Sequence, residues 1–266
     1  MDMAFWKGEA RKMADFERHI RACNNAVLPG RRLPFRLAGA VVGYVRPETP
    51  EALQEVVRRE DGVDLPDAAA LPGLARKAAD IGLCPWRGEA FDVRSNPEGP
   101  VLSTIDRGAL PLFGIQATGV HVNGLVHRPD GLHVWVARRA RDTLLDPSKL
   151  DHVVAGGVPA GLTPWQTLIK EAQEEAAIPA DIAREAVETS RISYAMERPE
   201  GLRRDMLICY DLRLPEDFTP VPVDGEVEAF ELWPIAKAAE TVLDTEDFKF
   251  NVNLVLIDLF RRQGLI

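Results

Sequence analysis

GGVPAGLTPWQTLIKEAQEEAAI, residues 156–178, joins a glycine-rich loop to an amphipathic helix, and its reading decides the fold. Thr163 is followed by Pro164 and, three residues after the threonine, by Gln166, a capping box with proline at the first helical position. Trp165, Leu168, Ile169, Ala172 and Ala176 recur at helical spacing and give one apolar face that turns toward a core. Glu171, Glu174 and Glu175 fall at i, i+3 and i+4, so their carboxylates share a different patch. Like charges at that spacing cost about 0.2–0.5 kcal/mol per pair in water, and more where a groove limits solvent. A hard divalent cation such as Mg²⁺ would relieve the repulsion, since it binds carboxylates, carbonyls and the phosphates of a substrate. A bare E-x-x-E-E is more often a solvated helix face. The preceding AGGVPAG (155–161) shifts that balance: it offers backbone amides and carbonyls at the front of the helix, where the helix dipole favours an anion.

Working outward, the chain has 266 residues, of which 46% are hydrophobic and 27% charged, enough to bury one large core or two modest ones. A net charge of -9 argues against a nucleic-acid-binding surface, which needs a concentrated basic face. No apolar run approaches the roughly 20 residues that cross a bilayer, and MDMAFWKGEARK at the N-terminus lacks the apolar core of a secretory signal. The expectation is a soluble cytoplasmic protein with no membrane partner, monomeric or homodimeric. Cys23, Cys84 and Cys209 form no C-x-x-C pair, so reduced structural thiols are expected.

Residues 11–24 read as a helix, PFRLAGAVVGYV (34–45) as a buried strand, and ETPEALQEVVRRE (48–60) as a helix capped by Thr49 with Pro50 and Glu51 in its first turn. LARKAADIGL (74–83) suggests a further helix, with short strands near 91–94 and 101–104. These make a small α+β region ending near Phe113. From Gly114 the texture changes. GVHVNGLVHRPDGLHVWVARRA (119–140) alternates around PDG, a hairpin signal, and predicts antiparallel strands over 118–127 and 131–139. HVVAGG (152–157) is a short strand running into the glycine loop. Beyond the glutamates come a helix in PADIAREAV, two strands about the PEG turn at 199–201, a strand in EVEAFELWPI (226–235) and two closing helices.

The stretch 156–178 resembles the Nudix box, G-x5-E-x7-R-E-U-x-E-E-x-G-U with U a bulky aliphatic residue, at its full spacing and without a gap. The resemblance implies an α/β/α sandwich with a mixed sheet and an enzyme that hydrolyses phosphorus-containing anhydrides. It implies that Glu171, Glu174 and Glu175, joined by the backbone carbonyl of Ala155, hold Mg²⁺ or Mn²⁺. Three positions depart: Leu162 stands for the upstream glutamate, Lys170 for the arginine and Ala177 for the last glycine. The pairing of arginine with upstream glutamate is therefore expected to be absent. FGIQATGVHVNGLV (113–126), SKLDHVVAGGVPAGLT (148–163), IRACNN (20–25) and WRGEAFDV (86–93) further resemble the Nudix subgroup related to thiamine pyrophosphokinase fusions. That implies an N-terminal α+β domain over 1–113, a Nudix domain over 114–266, and a small-molecule diphosphate substrate. The activity so implied removes the terminal phosphate of thiamine diphosphate or its oxidised derivatives.

Candidate roles follow. The proton of the attacking water would pass to Glu174, or to Glu226 or Glu228 in DGEVEAFELWP. Gly156 and Gly157 would let the backbone approach phosphate; of Arg138, Arg139 and Arg141, one of the first two would point inward, since neighbours on a strand face opposite ways. The resemblance adds Asp151 and His152 as substrate-facing, and Trp86, Arg87 and Glu89 as a grip on an organic ring. His121, His127 and His133 recur on strands without a zinc spacing and read as core or surface histidines. GGVPAGLT nearly matches a P-loop, but Leu162 replaces its lysine and Pro159 removes an amide. ADP-ribose or NADH hydrolysis is the competing substrate reading, and a catalytically weak ligand sensor the competing class.

Overall fold

Alternating apolar residues in the middle of the chain build one large sheet, and the region before it builds a smaller one. The computed structural model describes residues 16–143 and 145–266. Residues 16–23 form a helix, α1; the part of the expected helix before residue 16 lies outside the described residues. There follow β1 (Leu33–Leu37), β2 (Ala40–Val45), α2 (Thr49–Ala52), β3 (Val57–Arg59), β4 (Gly62–Leu65), α3 (Leu71–Asp80), β5 (Ala90–Val93), β6 (Ser103–Asp106) and α4 (Leu110–Phe113). The first four strands make a sheet in the order β2-β1-β4-β3, and β5 pairs with β6.

Two expectations in this region are corrected. The single strand over 34–45 is a hairpin, because Ala38 (φ 47°) and Gly39 (φ 86°) take the left-handed conformation that a tight turn needs. The helix over 48–60 is one turn, with Glu48 rather than Thr49 at its cap. From Val57 the chain pairs with β4, so β-branched Val57 follows strand propensity over helix periodicity.

The second half contains β7 (Gln116–Arg128), β8 (Gly131–Arg139), β9 (Leu150–Asp151), β10 (Val154–Gly157), α5 (Pro164–Ala176), α6 (Ala180–Ala183), β11 (Val187–Arg198), β12 (Gly201–Arg213), β13 (Val227–Pro234), α7 (Ile235–Asp244) and α8 (Val252–Arg262). Its mixed sheet runs β11-β12-β7-β8-β13, with β12 and β7 parallel and the other neighbours antiparallel. The hairpin is shorter than its strands. Only Gly124–Arg128 of β7 pairs with β8; farther back, the same edge of β7 is taken by β10, and β8 is taken by β9. The two strands splay, and residues 150–157 fill the fork.

One face of the sheet carries Val120, Val122, Met206, Ile208 and Tyr210 against Leu168, Ala172 and Ala176 of α5. The other carries Leu125, Val134, Val136, Leu207 and Cys209 beneath α7 and α8, which gives three layers, α/β/α. Phe16 and Cys23 of α1 join this second face. The first half has its own core, from Phe35 to Ile115. The sequence division at 113/114 is thus crossed by α1, which packs on the larger half.

Candidate active site

The capping box at the start of α5 is complete: Gln166 N donates to Thr163 Oγ1 at 3.2 Å and Thr163 N to Gln166 Oε1 at 2.9 Å. The helix packs directly against β10. A Cβ on Gly156 would come within 2.7 Å of Glu171 Cγ, so only glycine fits there. One turn on, Glu175 Oε2 accepts from Ala155 N at 2.9 Å. The loop backbone and two of the three glutamates are thus held side by side.

Burial decides their electrostatics. Glu175 is 6% exposed, and desolvation pushes its carboxyl well above the usual range despite the Ala155 bond; nearby Glu171, Asp151 and Glu226 push the same way. Desolvation also raises Glu171, against the pull of Lys170. Glu174 is half exposed and receives Lys170 Nζ at 2.5 Å, while the same ammonium reaches Glu171 at 3.2 Å. Lys170 therefore does bridge two of the glutamates, as a point charge where the box has an arginine fork. Leu162, in the upstream-glutamate position, has its N bonded to Pro159 O at 3.1 Å within the loop. Ala177 takes φ 52°, the left-handed C-cap where the box has glycine.

Beside Ala155, Gly156 and Gly157 opens a cleft whose walls come from both halves of the chain. Phe91, Arg107, Leu110 and Pro111 line one side, and His121, Arg203, Arg204, Leu207, Lys249 and Asn251 the other. Strand β5 grips the glycine loop: Ala160 N donates to Ala90 O at 2.7 Å and Gly161 N to Asp92 Oδ1 at 3.3 Å. A Cβ on Gly157 would lie 2.5 Å from Phe91 Cζ.

A family model for the NUDIX domain matches residues 117–254, which span the splayed strands, the loop and the glutamate helix. The chain belongs to the Nudix family. Nudix hydrolase 20, chloroplastic, of Arabidopsis thaliana is 34% identical over 96% of this chain and 74% of its own length. Nudix hydrolase 24, chloroplastic, of the same plant is 33% identical over the same shares. An uncharacterized protein of Saccharomyces cerevisiae is 32% identical over 73% of this chain and 61% of its own length. Similarity to the plant proteins therefore runs through both halves. The chain is a hydrolase of phosphorus-containing anhydrides, with a small molecule as substrate.

In this Nudix protein the glutamates fit a divalent metal by the chemistry of the donor set: oxygen donors only, two of them desolvated, with a single lysine as counter-charge. The remaining expected site residues fall less evenly. Glu226 is close enough to raise both Glu171 and Glu175, whereas Glu228 is engaged by Arg141, through its backbone N at 3.2 Å and Nε at 3.5 Å. Arg139 points inward but is committed to Asp151 at 3.0 Å and to Leu145 O, and Arg138 reaches Ser148 O at 3.4 Å. Neither arginine lines the cleft. Trp86 and Arg87 also lie outside its lining; Trp86 is stacked under Arg76 at 5.0 Å, and Arg87 N is tied to Asp106. Glu89 pairs with Arg107. The ring that does reach the cleft is Phe91, in the same WRGEAFDV stretch.

Asp151 and His152 are buried and meet His121, and Asp151 is also near enough to Glu175 to raise its carboxyl. His121 Nδ1 and His152 Nδ1 are 3.1 Å apart, so one ring must donate and the other accept. Burial would raise the Asp151 carboxyl, but Lys249 at 3.3 Å and Arg139 at 3.0 Å hold it well below the carboxylate range. Burial takes His152 down to about 4, and burial with His152 and Lys249 nearby takes His121 well below its usual value. His121, Asp151 and His152 have metal-ligand spacing. Two cations already satisfy the aspartate, which disfavours a third there. His127 is exposed, and His133 has its ring against Gly131 O and Asp130 in the turn. Lys249, Arg204 and Phe91 escaped sequence reasoning, since each lies in an ordinary-looking stretch and only the fold brings them to the cleft.

Proposed function

We propose that this protein hydrolyses the anhydride of a diphosphate borne by a small organic molecule, releasing the terminal phosphate of thiamine diphosphate or of its oxo and oxy derivatives. We take the reaction to run in the cytoplasm, with Mg²⁺ or Mn²⁺ as cofactor; the chloroplast address in the plant relatives' names is theirs. The observation that carries the reading is the pair of desolvated carboxylates, Glu171 and Glu175, clasped to the backbone at Ala155 and Gly156. The thiamine assignment is supported by the WRGEAFDV stretch, whose Phe91 forms a wall of the cleft.

In this proposal Glu171, Glu174, Glu175 and the Ala155 carbonyl would hold the metal, which would lower the pKa of a water and polarise the phosphoryl oxygens. Ala155 N fixes the Glu175 rotamer, and Lys170 holds Glu174 toward Glu171. Glu226 accepts the proton of the attacking water, because Glu228 is occupied by Arg141. Water oxygen bonds to the terminal phosphorus, the bridging P–O bond breaks, and the monophosphate leaves. The test is product analysis with Mg²⁺ over thiamine diphosphate, its oxo and oxy derivatives, ADP-ribose and NADH, beside Glu175→Gln. Inorganic phosphate released fastest from a thiamine compound, and lost in the variant, supports the reading. AMP from ADP-ribose or NADH would keep the chemistry and remove the thiamine assignment; binding without turnover would indicate a sensor.

A further inference from the structure

A second cavity opens behind the glycine loop, on the α5 side of the sheet. The catalytic cleft takes Ala117, Gly119 and His121 from β7 and Asp205 and Leu207 from β12. The second cavity takes the alternate residues, Gln116 and Thr118 from β7 and Met206 and Ile208 from β12, whose strands turn that face toward α5. Phe91 and Thr118 line both spaces and form the wall between them. The diphosphate chemistry makes no use of this second space.

Its lining specifies the chemistry of an occupant. Met206, Ile208, Val158, Leu162 and Pro164 make the interior apolar. The two arginines of the lining are already matched: Arg94 by Asp92 at 3.0 Å and by Gly99 O, Arg191 by Glu188 at 2.6 Å and Glu98 at 3.4 Å. An anion would have to compete with those carboxylates, so the space favours an uncharged molecule. Gln116 and Thr118 differ from the arginines. Both are half-buried, and neither side chain has a hydrogen-bond partner among the described residues. A primary amide holds a donor and an acceptor side by side, so Gln116 matches a ring edge that carries the complementary pair, as glutamine matches the amino edge of adenine. The Met206 thioether suits an aromatic ring packed against it.

We propose that this cavity is a second ligand site, which takes an uncharged heterocycle bearing a donor and an acceptor on one edge and which tightens the glycine loop when filled. The coupling is geometric. Strand β5 grips the loop through Ala160 N to Ala90 O at 2.7 Å and Gly161 N to Asp92 Oδ1 at 3.3 Å. The cavity has Phe91 and Asp92 from one side of that grip and Val158 and Leu162 from the other. A ring seated there touches both, so opening the grip costs its contacts as well. The proposal stands whichever diphosphate the cleft cleaves.

The experiment is an amide NMR shift titration of the full chain with adenosine and with N6,N6-dimethyladenosine, which keeps the ring and loses the N–H donors. Adenosine is expected to move the amides of Gln116, Val158, Leu162 and Met206 saturably, to leave Lys249 and Asn251 of the cleft in place, and to slow hydrogen exchange at Ala160. Gln116→Leu keeps the bulk and removes the amide; it should weaken adenosine about tenfold, as the loss of one hydrogen-bonded pair does. Thr118→Val should weaken it less. Should Gln116→Leu fail to fold, the dimethyl compound against the wild-type chain decides, with the same tenfold loss expected. Shifts that do not saturate, equal affinity for the two compounds, or shifts confined to the cleft would overturn the site. Unchanged exchange at Ala160 under saturating adenosine would overturn its coupling to the loop.

Discussion

Two buried clusters of ionisable side chains flank the strands β7 and β10, and they differ in where their counter-charge comes from. Around Asp151 the chain supplies it: Lys249 and Arg139 neutralise the aspartate, and His121 and His152 stay uncharged beside it. Around Glu175 the chain withholds it, leaving desolvated carboxylates with Lys170 at the rim. A closed charge account is the mark of a structural cluster, and an open one points to a ligand.

The comparison breaks most visibly at Glu175. Glu175→Gln is expected to lower turnover by at least about 10³-fold, roughly 4 kcal/mol of barrier at 1.36 kcal/mol per tenfold. Without metal it should also raise the melting temperature at neutral pH. A carboxyl whose folded pKa lies above its unfolded value stabilises the fold below the unfolded pKa, and that contribution is lost as pH rises through the folded one. Loss of both activity and stability would place Glu175 with the closed cluster instead.

On the other side, Lys249→Met should cost about 3 kcal/mol in urea denaturation, because it strips a cation from a buried carboxylate. Adding Asp151→Asn should recover part of the loss; additive costs would show that the pair is not coupled. The same cluster sets an acid limit. His121 and His152 titrate lower in the fold than unfolded, so stability falls as pH drops from about 6.5 toward 4, by up to about 1.4 kcal/mol per pH unit for each ring. His152→Gln should flatten that slope, and a slope unchanged in the variant would remove His152 from the account. The smallest effect concerns the helix end. Ala177→Gly relieves a left-handed alanine at φ 52° and should stabilise by about 1 kcal/mol with activity kept.

The layered fold and the glutamate helix were legible because periodicity, the capping box and the box spacing all agree over residues 156–178. The cleft was not, because its lining comes from distant segments: Phe91 and Lys249 are brought together only by the packing of the halves. Arg139 and Asp151 were singled out for the substrate, yet burial turns them into partners of each other. Sequence pattern reports which residues face inward on a strand; it does not report what they meet there. The hairpin at Ala38–Gly39 shows the same limit locally, where one apolar run hid a turn.

The region before Gly114 reaches the catalytic half at several places, among them α1 against α8 and β5 against the glycine loop. Cutting before Gly114 would therefore strip Phe16 from Phe260 on one side and Phe91 from Gly157 on the other. A fragment limited to the family-matched region would carry every box glutamate with its loop unfastened. Modularity here belongs to the sequence; mechanically, the protein is a single clasped body whose latch lies upstream of its active site.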